Sequence, residues 1–201
     1  RIILSICKRP IILIHGLWNT SAIFNNLLSR LDYYDVEYYA PTLDHYFGRV
    51  SIIDLAESLD GLIIKKYGNE REIDILGFSM GGIIARYWIN KFNGYLRTKR
   101  FISIGSPHRG TLTAQLVPKS LFKGISQMKI RSSLLKELSE YDYLLKKIDC
   151  ISFYTKWDFM VFPGWKAYLP VGGKYNLNIY KHRNLVRNPI AIDAIVNSII
   201  N

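Results

Sequence analysis

One five-residue motif in this sequence combines a potential nucleophile with the local structure that would expose it: Gly77-Phe78-Ser79-Met80-Gly81. It follows a short apolar run and precedes a helical pattern. A serine on such a sharp strand-to-helix turn has its hydroxyl lifted out of the sheet, and flanking glycines let the neighbouring strand and helix approach. The motif predicts that Ser79 is a nucleophile. The alternative is an ordinary tight turn in which the glycines only permit packing.

A serine hydroxyl needs a base to remove its proton, so a histidine must complete this chemistry. The chain contains four histidines: His15, His45, His108 and His182. In hydrolases with this serine motif the acid and then the histidine follow the serine along the chain. Only His108 and His182 come after Ser79. We predict His182 as the base, because it follows the last predicted strand and has acidic residues between it and Ser79.

The third catalytic group should be an acid that follows a strand and orients the imidazole. Asp158 follows the predicted strand Ile151–Tyr154 and lies among apolar and aromatic residues, where a carboxylate is costly to bury without a partner. Its competitors are Asp142 and Asp149, and Asp149 precedes its strand and so falls at the wrong end of the sheet. Asp158 is therefore the predicted acid. The alternative role for it is to cap its own loop.

Acyl transfer also needs hydrogen-bond donors for the oxyanion that develops on the carbonyl. The backbone N–H of Met80, at the start of the helix after Ser79, is one predicted donor. The loop after the first strand, His15-Gly16-Leu17, should supply the second, and the N–H of Leu17 is our prediction. His15 itself is expected to hold this loop by hydrogen bonds.

Elements that would position these residues alternate between short apolar strands and amphipathic helices. Such alternation predicts an α/β fold with a mostly parallel sheet covered by helices on both faces. The predicted strands are Ile11–Ile14, Val36–Ala40, Ile73–Phe78, Phe101–Ile104, Ile151–Tyr154 and Asn176–Tyr180. The predicted helices are 23–31, 51–67 ending at Gly68, 83–89 and 189–200.

The alternation stops after Thr111, and residues 112–147 hold helical patches but no convincing strand. We expect a single domain over residues 1–201 with this segment inserted as a short helical cap. The segment has two interpretations: a groove and basic face for a lipid surface, or an ordinary helical excursion with a solvated face. The aromatic residues beside Asp158 suit an acyl-binding wall or the core, and the core is the expectation: Trp157, Phe159, Phe162 and Trp165.

Composition limits the classes to which the protein can belong. The 201 residues are 49% hydrophobic and 21% charged, which is typical of a globular domain. A net charge of +11 favours anionic surfaces. The basic residues are spread along the chain without a nucleic-acid-binding motif, so we expect no nucleic-acid partner. We also expect no cofactor and no metal, and no membrane-spanning helix.

Two cysteines, Cys7 and Cys150, lie in apolar runs and are expected as buried free thiols, with a single bridge between them as the alternative. The first residue is Arg rather than Met, which leaves the true N-terminus, the compartment and the oligomeric state open.

The motifs together resemble those of bacterial triacylglycerol lipases and related esterases of the α/β-hydrolase superfamily. The resemblance is carried by Ile14-His15-Gly16-Leu17, by Gly77–Gly82, by Gly105–Thr111, by Asp158–Pro163 and by His182, in the family's order. It implies an abbreviated α/β-hydrolase fold, the Ser79-Asp158-His182 triad, and a loop Pro107–Gly110 near the active-site mouth. Phe78 departs from the family, since many relatives have histidine there, and we expect this to alter packing more than chemistry.

The sequence therefore predicts a carboxylic-ester hydrolase that acts on a lipid or hydrophobic acyl ester through an acyl-enzyme. The same triad also suits an acyltransferase or a thioesterase. A non-catalytic module that uses the fold and its basic face to bind a membrane or a partner is the third alternative. Peripheral contact with an anionic lipid surface is compatible with each of them.

Overall fold

A computed structural model describes residues 9–201 of the protein. Within these residues six strands form one sheet in the order β2-β1-β3-β4-β5-β6, and every neighbouring pair is parallel. The strands are β1 Ile11–Ile14, β2 Tyr38–Tyr39, β3 Ile73–Phe78, β4 Thr98–Ile104, β5 Asp149–Tyr154 and β6 Gly173–Asn176.

The helices lie between these strands or after them. They are α1 Asn25–Tyr33, α2 Ile52–Tyr67, α3 Met80–Lys91, α4 Lys123–Gln127, α5 Ser133–Glu140, α6 Asp142–Leu145 and α7 Pro189–Ile200. Short 3-10 helices include Ser21–Phe24, Tyr46–Gly48, Leu112–Leu116 and His182–Val186.

The sheet separates two apolar cores because successive side chains of a strand point to opposite faces. Ile12 and Ile14 of β1 pack on one face, under α2 and α3 and the helices that follow β4. Ile11 and Leu13 pack on the other face, with α1 and α7. Each fully buried Ile or Leu side chain contributes about 1.5–3 kcal/mol, so both faces stabilise the sheet. This arrangement confirms the predicted α/β class with helices on both faces.

Several predicted boundaries are correct, and local chemistry explains them. Ser51 caps α2, since its hydroxyl accepts a hydrogen bond from the N–H of Asp54, and Gly68 ends the helix with φ of 70°. The last strand was predicted wrongly at 176–180. It is Gly173–Asn176, a mostly exposed edge strand without an apolar run, and Leu177–Tyr180 follow it as loop.

Residues 112–147 connect β4 to β5 through the 3-10 helix Leu112–Leu116 and helices α4 to α6, with no strand in that segment. The expectation that the aromatic residues near Asp158 belong to the core is wrong. Their exposed fractions are 46% for Trp157, 73% for Phe159, 38% for Phe162 and 50% for Trp165.

Cys150 is a buried free thiol whose pKa is raised to about 12, chiefly because burial disfavours the thiolate. Cys7 lies outside the described residues. Among residues 9–201, none of the helices combines the length and the apolar character needed to cross a lipid bilayer.

Candidate active site

The three residues predicted to form a triad follow three different strands of the sheet. Ser79 follows β3, Asp158 lies in the loop after β5, and His182 begins the 3-10 helix after β6. Because the carboxyl ends of parallel strands meet at one edge of the sheet, these loops converge there. The structure brings Asp158 into contact with His182, and His182 and Ser79 line one cavity.

Ser79 occupies a strained turn between β3 and α3, with φ of 56° and ψ of −125°. Such a conformation costs a non-glycine residue about 1–3 kcal/mol and is found mostly at functional sites. The turn is tight enough to require glycine on both sides. A Cβ on Gly77 would lie 2.4 Å from Gly82 Cα, and one on Gly81 would lie 2.1 Å from the carbonyl oxygen of Ile14.

Asp158 is 1% exposed, and both of its carboxylate oxygens have partners. Oδ1 accepts hydrogen bonds of 2.9 Å from the N–H groups of Met160 and Val161. Oδ2 lies 2.5 Å from His182 Nδ1. Asp158 therefore both caps its own loop and contacts the histidine, and these contacts compensate for the cost of burying its charge.

His182 is held between its acidic partner and an aromatic ring. Its ring stacks on the fully buried Phe78, with 4.8 Å between centroids and 28° between planes. With Nδ1 engaged by Asp158, Nε2 is the nitrogen left for a substrate or a nucleophile. Phe78 thus packs directly against the predicted base.

Ser79 and His182 line a cavity of about 650 Å³, and their side chains make no direct hydrogen bond within the described chain. One wall is mostly apolar and comes from the segment after β4 and the loop after Asp158. Its residues are Ala114, Val117, Ile125, Met128, Met160 and Val161. Within the segment predicted as a cap, Val117, Ile125 and Met128 line the cavity, whereas Leu112, Leu116 and Leu121 are exposed.

Basic side chains also line this cavity. Lys181, Arg183 and Arg187 line it, all three are exposed, and all three flank His182 in the chain. No aspartate or glutamate of the described residues is among those lining it. Sequence analysis did not identify these cations as site residues, although their clustering around the predicted base was the signal available.

The two predicted oxyanion donors belong to segments that adjoin Ser79. Met80 is the first residue of α3, where backbone N–H groups have no acceptor within the helix and the helix dipole is positive. Leu17 lines the cavity in the loop after β1. That loop runs against the serine, because a Cβ on the preceding Gly16 would lie 2.8 Å from Ser79 Cβ.

The environments of His15 and His108 differ from that of His182. His15 is buried, its Nδ1 donates to Gly16 O at 2.9 Å and its Nε2 accepts from Leu43 N–H at 2.9 Å, so it holds the loop as expected. Burial lowers its pKa. His108 is 3% exposed and its Nε2 contacts Ser103 Oγ at 2.7 Å. Its neighbours Pro107 and Thr111 line the Ser79 cavity, but His108 does not.

No group of three or more His, Cys, Asp or Glu side chains in residues 9–201 is arranged to hold a metal ion.

Comparison of the sequence with protein-family models gives a match to the palmitoyl protein thioesterase family over residues 10–159. The matched region includes Ser79 and Asp158 and ends before His182. No curated protein matches the sequence significantly.

Comparison with solved structures gives matches over nearly the whole chain. The mature lipase BlEst2 of Bacillus licheniformis is 15% identical with a TM-score of 0.73, and the match covers 96% of this chain and 93% of that one. Lipase B of Aspergillus fumigatus is 17% identical with a TM-score of 0.76, covering 96% of this chain and 52% of that one. An extracellular α/β-hydrolase from a Paenibacillus species is 19% identical with a TM-score of 0.64, covering 94% and 98%. At these identities the likeness establishes the fold, which is the predicted α/β-hydrolase fold.

Proposed function

The chain belongs to the palmitoyl protein thioesterase family, and from this membership we propose that it is a serine hydrolase that cleaves hydrophobic acyl esters. One observation carries the proposal: His182, which contacts the buried Asp158, lines the same cavity as Ser79 on its strained turn. A histidine without an acidic partner, or a serine on a relaxed turn, would be an ordinary feature of a protein surface. The presence of all three residues supports assigning them as the nucleophile, the base and its orienting acid.

In the proposed reaction Ser79 Oγ attacks the acyl carbonyl and transfers its proton to His182 Nε2. Asp158 keeps the Nδ1 proton in place and stabilises the imidazolium that forms. The N–H groups of Leu17 and Met80 donate to the carbonyl oxygen as it becomes an oxyanion. His182 then gives the proton to the leaving alcohol, and the acyl group stays on Ser79. Water, deprotonated by His182, releases the acid and restores the serine.

A hydrophobic acyl group is supported by the wall that the cavity presents to it. A volume of about 650 Å³ is in the range of small-molecule sites, and aliphatic and Met side chains form part of the lining that it shares with Ser79. We propose that residues 112–147 act as the cap over this site within a single domain. The 3-10 helix in this segment is tied to the loop after Asp158, since Thr113 Oγ1 donates to Met160 O at 2.7 Å and Leu112 N–H to Phe162 O at 3.0 Å.

Exposed apolar side chains lie on the two segments that these hydrogen bonds join, and they support contact with a lipid assembly. Leu112, Leu116, Phe159 and Met160 are between 47% and 91% exposed. Apolar side chains beside basic residues are the combination that binds the surface of anionic lipid. We propose peripheral contact of this face with such a surface, which would present substrate to the cavity.

A thioester is the second candidate substrate, and the family membership is the observation that favours it. The same nucleophile, base and oxyanion donors act on both ester types, since only the leaving atom differs. A binding module without catalysis is less well supported, because Ser79, His182 and Asp158 are all present and two of them are paired.

The proposal is tested by hydrolysis of p-nitrophenyl esters and of acyl thioesters with short to long chains. Ser79→Ala should lower kcat by about 10⁴- to 10⁶-fold, because the nucleophile is removed. Ser139→Ala, an exposed serine on α5, is the matched control and should retain full activity. Equal rates in wild type and Ser79→Ala would exclude Ser79 as the nucleophile. A folded wild type that hydrolyses neither class would favour the binding module.

A further inference from the structure

A second cavity, of about 760 Å³, adjoins the Ser79 cavity. The two share four lining residues: Trp18, Asn19, Arg183 and Arg187. A ligand whose acyl carbonyl reached Ser79 would therefore have two spaces to fill. The apolar wall formed by the 112–147 segment lies in the first, and the second continues past the arginines toward residues 42–47.

Backbone strain marks the second cavity as well as the first. Eight non-glycine residues of the described chain have positive φ, and five of them line these two cavities. Ser79 and Lys181 line the first, Tyr46 and Phe47 line the second, and Trp18 lines both. Each such residue costs about 1–3 kcal/mol and persists only where its surroundings fix it, which is typical of ligand sites.

The charge at the junction of the cavities is positive and uncompensated. Arg183 and Arg187 line both cavities and Lys181 lines the first, and within residues 9–201 none of these side chains makes an ion pair. Asp44 is the one carboxylate among the described lining residues of the second cavity, and it is exposed. Two guanidinium groups at one junction provide the donors that bind phosphate oxygens in pairs.

We propose that the second cavity binds the leaving group of the substrate and that this group carries a phosphate, held by Arg183 and Arg187. The inference rests on the proposed function, because it assigns the two cavities to the two halves of one acyl ester or thioester. The exposed rings of Trp18, Tyr46 and Phe47 add apolar surface for the rest of the leaving group. A phosphate can come from a lipid headgroup or from a nucleotide-like thiol carrier, and the experiment separates these sources.

The test compares two substrate pairs with the same octanoyl chain, which is short enough to keep all four compounds monomeric. The oxygen-ester pair is octanoyl lysophosphatidic acid and monooctanoylglycerol. The thioester pair is octanoyl-coenzyme A and octanoyl-N-acetylcysteamine. Wild type should have at least about tenfold higher kcat/KM for the phosphate-bearing member of one pair, and that pair identifies the source.

The double variant Arg183→Gln/Arg187→Gln should lower kcat/KM for that phosphate-bearing substrate by about 10- to 100-fold, mainly through KM, with the neutral member changed less than about twofold. The control Lys65→Gln/Lys146→Gln removes the same two charges from exposed positions outside both cavities and should leave all four values unchanged. Equal losses for charged and neutral members, or no preference in wild type, would overturn the proposal.

Binding to the Ser79→Ala protein separates this inference from the proposed function. Calorimetric binding of octanoyl-coenzyme A or octanoyl lysophosphatidic acid, lost when Arg183 and Arg187 are both replaced by Gln, supports the phosphate site even if no ester is hydrolysed. Turnover of neutral esters without any such binding would leave the hydrolase intact and refute the phosphate site.

Discussion

Two loops at the same edge of the sheet each carry a histidine after Ser79, and the structure gives the two rings opposite surroundings. In the loop after β4, His108 is turned into the core, where Nε2 contacts Ser103 Oγ and Nδ1 is buried without a partner in the described chain. In the loop after β6, His182 is turned toward a cavity, with Asp158 on Nδ1 and Phe78 against its ring.

The difference shows that a histidine's position after a strand does not fix its chemistry, whereas its partners do. A buried neutral imidazole beside a hydroxyl has no charge to stabilise. Burial, together with the positive charge of Arg86, holds the pKa of His108 well below its usual range. His182 instead contacts a carboxylate, which is the partner that orients the imidazole of a general base in a triad.

Matched substitutions of the two histidines give the largest expected difference. His182→Gln should lower kcat/KM for the best ester by about 10⁴-fold or more, since no group remains to take the serine proton. His108→Gln should keep activity within about threefold per folded molecule, because the side-chain amide of Gln can still form a hydrogen bond with Ser103 Oγ. Circular dichroism and ester hydrolysis on both variants measure this. Equal losses would place His108 in the reaction and remove the contrast.

Replacing the acid by its amide should have a smaller effect for a reason that is specific to this loop. The N–H groups of Met160 and Val161 donate to Oδ1 of Asp158, so an Asn there would keep its carbonyl oxygen on them and turn its NH₂ toward His182. Nδ1 would then have to accept, and the proton would move to Nε2, where it blocks the base. We expect Asp158→Asn to lower kcat by about 10³- to 10⁴-fold with little change in KM.

The Asp158→Asn result would be checked against thermal unfolding of the same protein. A loss of activity with an unchanged melting temperature fits a tautomer effect. Activity within about tenfold of wild type would contradict the orienting role and leave Asp158 as a loop cap alone.

Much of this arrangement could be predicted from the sequence, because local patterns specify it. Ile73–Phe78 is an apolar run that ends at glycine and serine, and Pro189–Ile200 has Asn188 as its cap and a proline in its first turn. Both elements were predicted at their observed bounds. The convergence of Ser79, Asp158 and His182 follows from the order of parallel strands, since each residue comes just after a strand or its loop.

The features that escaped prediction depend on contacts between distant segments. Strand β6 has no apolar run, because it is an edge strand whose pairing with β5 supplies its structure. The exposure of Phe159 and Phe162 depends on how their loop lies against residues 111–113, which no local pattern encodes. The stacking of Phe78 on His182 likewise joins residues more than a hundred positions apart, and only the fold reveals it.

The smallest expected effect is on the free energy of unfolding, and it comes from the buried His108. The unfolded ring titrates at its ordinary value of 6.5, whereas the pKa of folded His108 is well below it. Below about pH 6.5 the unfolded chain therefore binds a proton that the folded chain does not, so the free energy of unfolding must fall as the pH falls. This one group contributes a slope of at most about 1.4 kcal/mol per pH unit.

His108→Gln should flatten that decline between pH 6.5 and 5, because Gln does not titrate. The pKa of His15 is also lowered, but His15 is present in both proteins and its share of the slope cancels in the comparison. Urea unfolding of wild type and variant at pH 7, 6 and 5 measures the two slopes. Parallel slopes would mean that His108 gains its proton in the folded state as it does in the unfolded chain, so that burial would not keep the ring neutral.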